Sequence, residues 1–206
     1  MTLLAAQHIP CVLVDRDIPG LRVNGVVSDN FQGSKDVTKA LIDKGHQRIL
    51  VMAGIACTSI HRRLQGHVEA LQEAGIASDP DLIIKADDLL LPVRHPRHAQ
   101  EPERIRKRIE QAGDFTACYA LNPTLLQAAI QILAPEGREA GTPIAIATYD
   151  QAVRETVRVS NSATVVKQPS YRMGWEAARL LIETLNHPAL PVTQMILQPE
   201  IIEESL

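Results

Sequence analysis

Short apolar, β-branched runs alternate along the chain with longer stretches whose apolar residues recur every third or fourth position, and several of these stretches close on a glycine. Cys11-Val12-Leu13-Val14 and Val26-Val27-Ser28 read as buried strands. A helix from about Gly33 to Lys44 follows, which Gly45 can end in the left-handed conformation. Ile49-Leu50-Val51-Met52 is the next strand. Ile60, Leu64, Val68 and Leu71 then form one helical face, Gly75 stops that helix, and Leu82-Ile83-Ile84 starts another strand. The cycle continues with a charged surface helix from Glu101 to Gln111, a stop at Gly113 and a strand at 117–121. Pro123 is placed as first residue of a helix through Leu133, and a strand over 144–148 follows. A last long helix, about Ser170 to Leu185, buries Met173, Ala177, Leu180 and Leu181, and Met195-Ile196-Leu197 is the terminal strand. Strands alternating with helices of this length predict an α/β fold with parallel sheets.

Polar residues recur at one address in that pattern. Asp15, Asp29, Asn122, Asp150 and Gln168 each follow a strand. In parallel sheets the carboxyl ends of the strands share an edge and ligands bind in the crevice outside it, so these side chains can converge on one pocket. Asp and Asn also occupy such loops as caps of the next helix, and for any single one of them both readings stand.

Composition narrows the chemistry. The 206 residues, 45% hydrophobic and 22% charged, suffice for one large domain or two small lobes, and no apolar run approaches a membrane span. The start, Met1 to His8, has no basic region and too short an apolar stretch for a secretory signal, so a cytoplasmic protein is expected. Cys11, Cys57 and Cys118 are odd in number and far apart, which fits free thiols better than disulfides or a zinc site. A net charge of -3 supplies no basic footprint for DNA. The basic run Arg104 to Arg108 has Glu101, Glu103 and Glu110 beside it and reads as a solvated helix face.

Neither GxGxxG nor GxxxxGK[ST] occurs, and there is no GxSxG elbow, so no catalytic residue is assigned and no enzyme is expected. No cofactor is called for. His61, His67, His95 and His98 lack acidic or thiol partners in sequence, so no metal is expected, and the Pro92–His98 segment reads as a surface loop.

The phrases "IPCVLVDRDIPG" (9–20), "VVSDNFQGSKDVTKALIDKGHQRILVMAG" (26–54), "RRLQGHVEALQEAGI" (62–76) and "TVVKQPSYRMGWEAARLLIETL" (164–185), in this order and spacing, resemble the LacI/GalR family of bacterial transcription regulators. The resemblance implies an α/β, periplasmic-binding-protein-like fold of doubly wound parallel sheets, with one nearly complete lobe plus part of a second. The partial N-terminal lobe would comprise 1–30 and 168–190, and the C-terminal lobe 31–167 and 191–206. It also implies an effector-binding region truncated at its N-terminus, without the helix-turn-helix headpiece through which the family reads operator DNA, and a homodimer built largely from the C-terminal lobe.

Effector contacts carry over where letters match. Arg63 in "RRLQG" would offer fixed donors to hydroxyls or a carboxylate, and Ser59 stands on the same loop. Asp150 matches an acid that accepts hydrogen bonds from sugar hydroxyls or purine nitrogens, Gln168 matches the glutamine near the lobe crossover, and Asp29 with Asn30 matches the acidic turn between lobes. Asn122 stands at a further family position, but where members show Asn-Asp this chain has Asn122-Pro123, and where they show a second acid after Asp150 it has Gln151. Fewer acceptors therefore face the cleft. Phe31 and Tyr149 are the aromatics nearest the pocket. The implied effector is a small molecule: a sugar, sugar acid or nucleobase.

Two functions remain in competition: the effector-sensing and dimerisation region of a repressor, and a free-standing solute-binding protein of a transport system. The absent signal peptide counts against the second. A small α/β hydrolase or transferase is disfavoured by the lack of any nucleophile or phosphate motif.

Overall fold

The computed structural model of the chain describes residues 9–18, 20–54, 57–87, 96–133, 144–151 and 160–205. Its strands are β1 (Val12–Val14), β2 (Asn24–Ser28), β3 (Ile49–Ala53), β4 (Ile83–Lys85), β5 (Ala117–Ala120), β6 (Ala145–Tyr149), β7 (Ser162–Lys167), β8 (Gln194–Leu197) and β9 (Glu200–Ser205). The helices of the described residues are α1 (Asn30–Asp43), α2 (Thr58–Glu73), α3 (Pro96–Gln111), α4 (Pro123–Leu133) and α5 (Ser170–Asn186). The strands form two sheets, one ordered β1-β2-β8 and a larger one ordered β4-β3-β5-β6-β7-β9.

The glycine stops hold. Gly45 and Gly75 take φ of 93° and 71°. At each, the glycine N–H returns to Ile42 or Gln72 and the next residue's N–H to Leu41 or Leu71, the double bond that satisfies the last carbonyls of a helix. Two helices start earlier than the apolar pattern suggested. Asp29 caps α1, so it begins at Asn30 rather than Gly33. α3 begins at Pro96 rather than Glu101, because a proline ring is pre-set for a first helical turn, and Pro102 is carried inside it. The surface-loop reading of Pro92–His98 thus gives way to helix from Pro96 on; His95 lies outside the described residues.

Parallel pairing covers both sheets except at one edge. β7 and β9 run antiparallel, with Val165 opposite Ile202. Only Gln198 and Pro199 separate β8 from β9, so the chain passes from the small sheet to the large one within two residues. The expectation that 191–206 lies wholly with the larger lobe is corrected in the same place. β8 pairs with β2 in the small sheet, Val26 opposite Met195, and only β9 joins the large one.

In the large sheet α1 and α2 pack together, with α1 against β6, β7 and β9, while α4 lies against β3, β5 and β6 with α3 beside it. Right-handed crossovers place these pairs on opposite faces. Buried Leu50, Met52, Tyr119, Ile146 and Val165 fill the space between. The small sheet is covered by α5, whose Met173 and Ala177 meet Val26 and Leu197. Leu180 is buried there as well, whereas Leu181 stays partly exposed.

A polar seam runs between α1, α2 and β5. Tyr119 donates to Ser34 at 3.0 Å, Ser34 donates to the Arg63 carbonyl, and Thr38 donates to the Ser34 carbonyl. With the Thr38 proton so used, its oxygen accepts from His67 Nδ1 at 3.0 Å, which places the proton of the neutral imidazole on Nδ1. Burial pushes the His67 pKa down to about 4. The folded state resists a proton that the unfolded chain takes up below about 6.5, so His67 contributes full stability above that pH and loses it as pH falls toward 4. The loss approaches about 3 kcal/mol. Urea unfolding between pH 7 and 4 is expected to show a flatter decline in His67→Asn than in the parent chain.

Gly66 sets the separation of α1 and α2. A Cβ there would lie 2.2 Å from the Phe31 carbonyl oxygen and 3.0 Å from the Lys35 nitrogen, both backbone atoms that cannot swing away. Gly66→Ala should therefore push the helices apart at a cost of about 1–3 kcal/mol, read as a lowered Tm in thermal melts.

Candidate functional site

The large sheet reverses its strand order between β3 and β5, and the crevice at such a reversal is where α/β folds bind ligands. α2 begins at this point after β3, and the small sheet's strand ends face it. A cleft of about 800 Å³ opens here, lined by Asp15, Arg16, Asp29, Phe31, Ser59 and Arg62 among others, with Val27 and Ile196 as apolar wall.

Each strand end contributes differently. At the end of β1, Asp15 holds φ of 54°, and at the end of β6 Asp150 holds φ of 71°. The left-handed conformation costs a non-glycine residue about 1–2 kcal/mol, least for Asp and Asn. Asp15 is anchored by its N–H to the Val26 carbonyl, Asp150 by its N–H to the Val166 carbonyl, each at the strand next door. Asp15 Oδ1 is buried and accepts no hydrogen bond among the described residues. Burial raises the Asp15 carboxyl above its usual range, the Asp150 charge adds to this, and Arg63 and Arg16 oppose it. Asp15, Arg63 and Asp150 thus form one electrostatic cluster.

Arg63 is buried, only 4% exposed. Its Nε donates to Asn30 Oδ1 at 2.7 Å and its Nη1 to the Leu121 carbonyl at 2.6 Å, while the guanidinium stacks 3.5 Å from the centre of the Tyr149 ring. Asn30 is itself oriented by donating to the Ser28 carbonyl. Most of the arginine's bonding is therefore spent inside the protein. Tyr149 is pushed up to about 12, by burial against the opposing Arg63 charge, and stays neutral.

The other candidates separate into two groups. Gln168 donates to Asp150 Oδ1 at 2.6 Å and leaves its own Oε1 buried without a partner among the described residues. Ser59 and Asp29 line the cleft. Asp29 also caps α1 through the Gln32 N–H at 2.9 Å and accepts from Gln198 at 3.1 Å, so capping and cleft lining coexist in one side chain. Asn122 caps α4 through the Leu125 N–H at 2.9 Å and does not line the cleft. Asp150, Gln168 and Arg63 stand behind the open cleft rather than on its wall.

Asp15 belongs to the strand-end set through its position after Val14, while nothing in the sequence pattern marks Arg16 or Arg62. The signal for Asp15 was the same as for Asp150: an acid directly after a buried strand. Cys57 lies at the start of α2 on the cleft wall. Partial burial pushes its thiol up, but the Ser59 hydroxyl, the Ile60 N–H and the Arg16 and Arg63 charges outweigh that and bring it below the usual thiol range. Among the described residues no cluster of His, Cys, Asp and Glu is placed to hold a metal ion.

Because Arg63 ties three elements together, its removal acts on the fold. Arg63→Ala deletes two charge-assisted bonds and a cation–π contact and should cost about 3 kcal/mol or more. Chemical denaturation should show this with no ligand present.

Comparison with known proteins fits this architecture. The model of the periplasmic binding protein-like domain matches residues 38–205. Relatives include the HTH-type transcriptional regulator CelR of Thermobifida fusca, 28% identical over 90% of this chain and 52% of its own length. The ribose operon repressor of Haemophilus influenzae is 26% identical over 98% and 58%, and GalR of Escherichia coli 25% identical over 97% and 56%. The chain thus spans about half the length of the curated relatives it matches. Among solved structures, the CelR–cellobiose complex superposes with a TM-score of 0.76 at 26% identity, covering 100% of this chain and 68% of that one. CcpA of Lactococcus lactis shares the fold, with a TM-score of 0.75 at 22% identity over 98% of this chain and 70% of its own. No described helix is long and apolar enough to cross a membrane. The chain belongs to the periplasmic binding protein-like domain family, in the form that serves as effector-binding region of LacI/GalR-type regulators.

Proposed function

We propose that this chain senses a small polar effector, a sugar or sugar derivative, for a LacI/GalR-type transcriptional repressor that works as a cytoplasmic homodimer. The effector sits between two lobes, one built on the small sheet with α5 and one on the large sheet. Operator DNA is contacted by other parts of the whole protein, and the chain binds its ligand without converting it.

One observation carries this reading. Asp15 Oδ1 and Gln168 Oε1 are buried oxygens without a partner among the described residues, on strand ends of the two different sheets. Buried acceptors ordinarily have donors, and a polyol inserted between the sheets supplies them. The Nη2 donors of Arg63, unused by any described residue, offer the opposite sense of hydrogen bond beside them. Donors and acceptors placed together suit adjacent hydroxyls. The cellobiose bound to CelR and the ribose operon repressor among the relatives support the sugar class. The reported relatives are regulators, which favours this reading over a transport component. Ligand coupling follows from differential binding: an effector that bridges both sheets stabilises one lobe angle over another and shifts their populations.

Asp15→Asn is the discriminating variant. It keeps shape but removes the charge, so the free protein should melt no lower than the parent, because a carboxylate held up by burial has been neutralised. Affinity for a sugar found by thermal-shift screening of mono- and disaccharides should fall roughly ten- to a hundred-fold in calorimetry. Equal affinity in the variant, or no thermal shift with any sugar or sugar acid, would overturn the proposal.

A further inference from the structure

Three guanidinium groups and three carboxylates line the cleft, Arg16, Arg22 and Arg62 against Asp15, Asp17 and Asp29. Their formal charges cancel, but their bonding is unequal. Asp29 has both oxygens occupied, Oδ1 by the Gln32 N–H and Oδ2 by the Gln198 amide. Asp15 keeps one buried oxygen for the polyol, and its other lies 3.8 Å from Arg16. The arginines are far less committed. Among the described residues Arg16 gives only its Nη1, to the Asp15 backbone carbonyl at 3.1 Å and the nearby carboxylate, and Arg22 and Arg62 have neither a hydrogen bond nor an ion pair.

An exposed arginine on a convex surface needs no partner but water. These three line one concavity, and they come to it from different elements. Arg16 and Arg22 belong to the segment between β1 and β2, on the side of the small sheet. Arg62 belongs to α2, on the side of the large sheet, next in sequence to the buried Arg63. The Arg16 charge reaches the head of α2, where it helps to bring the Cys57 thiol down. Ser59 stands in the first turn of that helix and Arg62 one turn further on. An anionic group between the walls therefore meets guanidinium donors from both sides and a hydroxyl from one, and the planar fork of an arginine matches the two oxygens of a carboxylate. A neutral sugar would leave these cations to lose water without gaining a partner. The wall carboxylates limit the charge in the other direction. A sugar carboxylate brings a single negative charge, whereas a phosphate brings about 1.5 to 2 at neutral pH and meets more repulsion from Asp15 and Asp17.

We propose that the effector of this cleft is a sugar acid, its carboxylate held between Arg16 and Arg62 while its hydroxyls meet the buried acceptors of Asp15 and Gln168. This rests on the sugar-sensing reading above and narrows it. Calorimetry on the chain with matched sets of glucose, glucuronate and glucose 6-phosphate, and of ribose, ribonate and ribose 5-phosphate, should find an acid bound more than ~tenfold tighter than its neutral parent and tighter than the phosphate. The preference should shrink as sodium chloride is raised. Arg16→Gln and Arg62→Gln should each weaken the acid roughly ten- to a hundred-fold, with the ligand-free Tm unchanged because both side chains are exposed. Lys107→Gln removes the same charge from α3, outside the cleft, and should leave the acid's affinity as it is. A neutral sugar bound as tightly as its acid, a phosphate bound more tightly, or equal acid affinity in the parent and both arginine variants overturns the sugar-acid assignment, and the sugar-sensing reading then stands on binding of the neutral member and its loss in Asp15→Asn. If neither a sugar nor a sugar acid binds, both fall.

Discussion

A buried guanidinium holds the cleft-bearing half of this molecule in place. Moving the Arg63 charge out of water costs several kcal/mol, and that cost is recovered only where partners meet it from fixed directions. Here they come from three elements distant in sequence: the Asn30 amide at the head of α1, the Leu121 carbonyl at the end of β5, and the Tyr149 ring on β6. Each partner is immobilised by something else. Asn30 is tied to Ser28, Tyr149 donates to the Asp29 carbonyl at 3.3 Å, and Gly66, one turn along α2, lets the helix approach the Phe31 backbone closely enough for the arginine to reach. The strand ends that carry Asp15, Asp29 and Asp150 are thereby referenced to one cation.

This arrangement changes the role expected of the arginine. As a free donor in an open cleft it would grip ligand directly and be dispensable for folding. As a buried hub it is a structural member, and the exposed chemistry of the cleft shifts to Asp15, Ser59 and Asp29 on its wall. The two aspartates at positive φ belong to the same logic. A left-handed residue directly after a strand turns the chain sharply and points its side chain across the sheet edge, and the strain is tolerated because the neighbouring strand holds the N–H of each.

The two sheets differ in how completely they are enclosed. The large one has helices on both faces and a continuous apolar core. The small one has α5 on one face, while its other face contributes Val27 and Ile196 to the cleft. The large exposed apolar side chains of the described residues all lie in 9–18 and 171–196, on or beside the small sheet. Ligand binding, as proposed, thus draws on the less enclosed sheet, where apolar surface is still available to gain by burial.

Much of this was legible in the chain itself. Alternation of buried strands with amphipathic helices fixed the α/β class, and the glycine stops at Gly45, Gly75 and Gly113 were readable because a helix end needs a residue that tolerates positive φ, which glycine does at no steric cost. Acids and amides after strands were visible as a set for the same reason: strand ends in parallel sheets share an edge. The sequence could not say which of them caps and which faces the cleft. Asn122 and Asp29 both present a short side-chain oxygen at the same kind of address, yet Asn122 spends its oxygen on the Leu125 N–H away from the cleft, while Asp29 caps and lines it at once. Nor could it place β8 in the small sheet, or bury Arg63, since both depend on contacts between residues more than fifty positions apart along the chain, such as Arg63 with Leu121 and Val26 with Met195. Local pattern is set by the period of one element's exposed and buried sides; pairing across the fold and the burial of a charge are decided only when several elements close around the same volume.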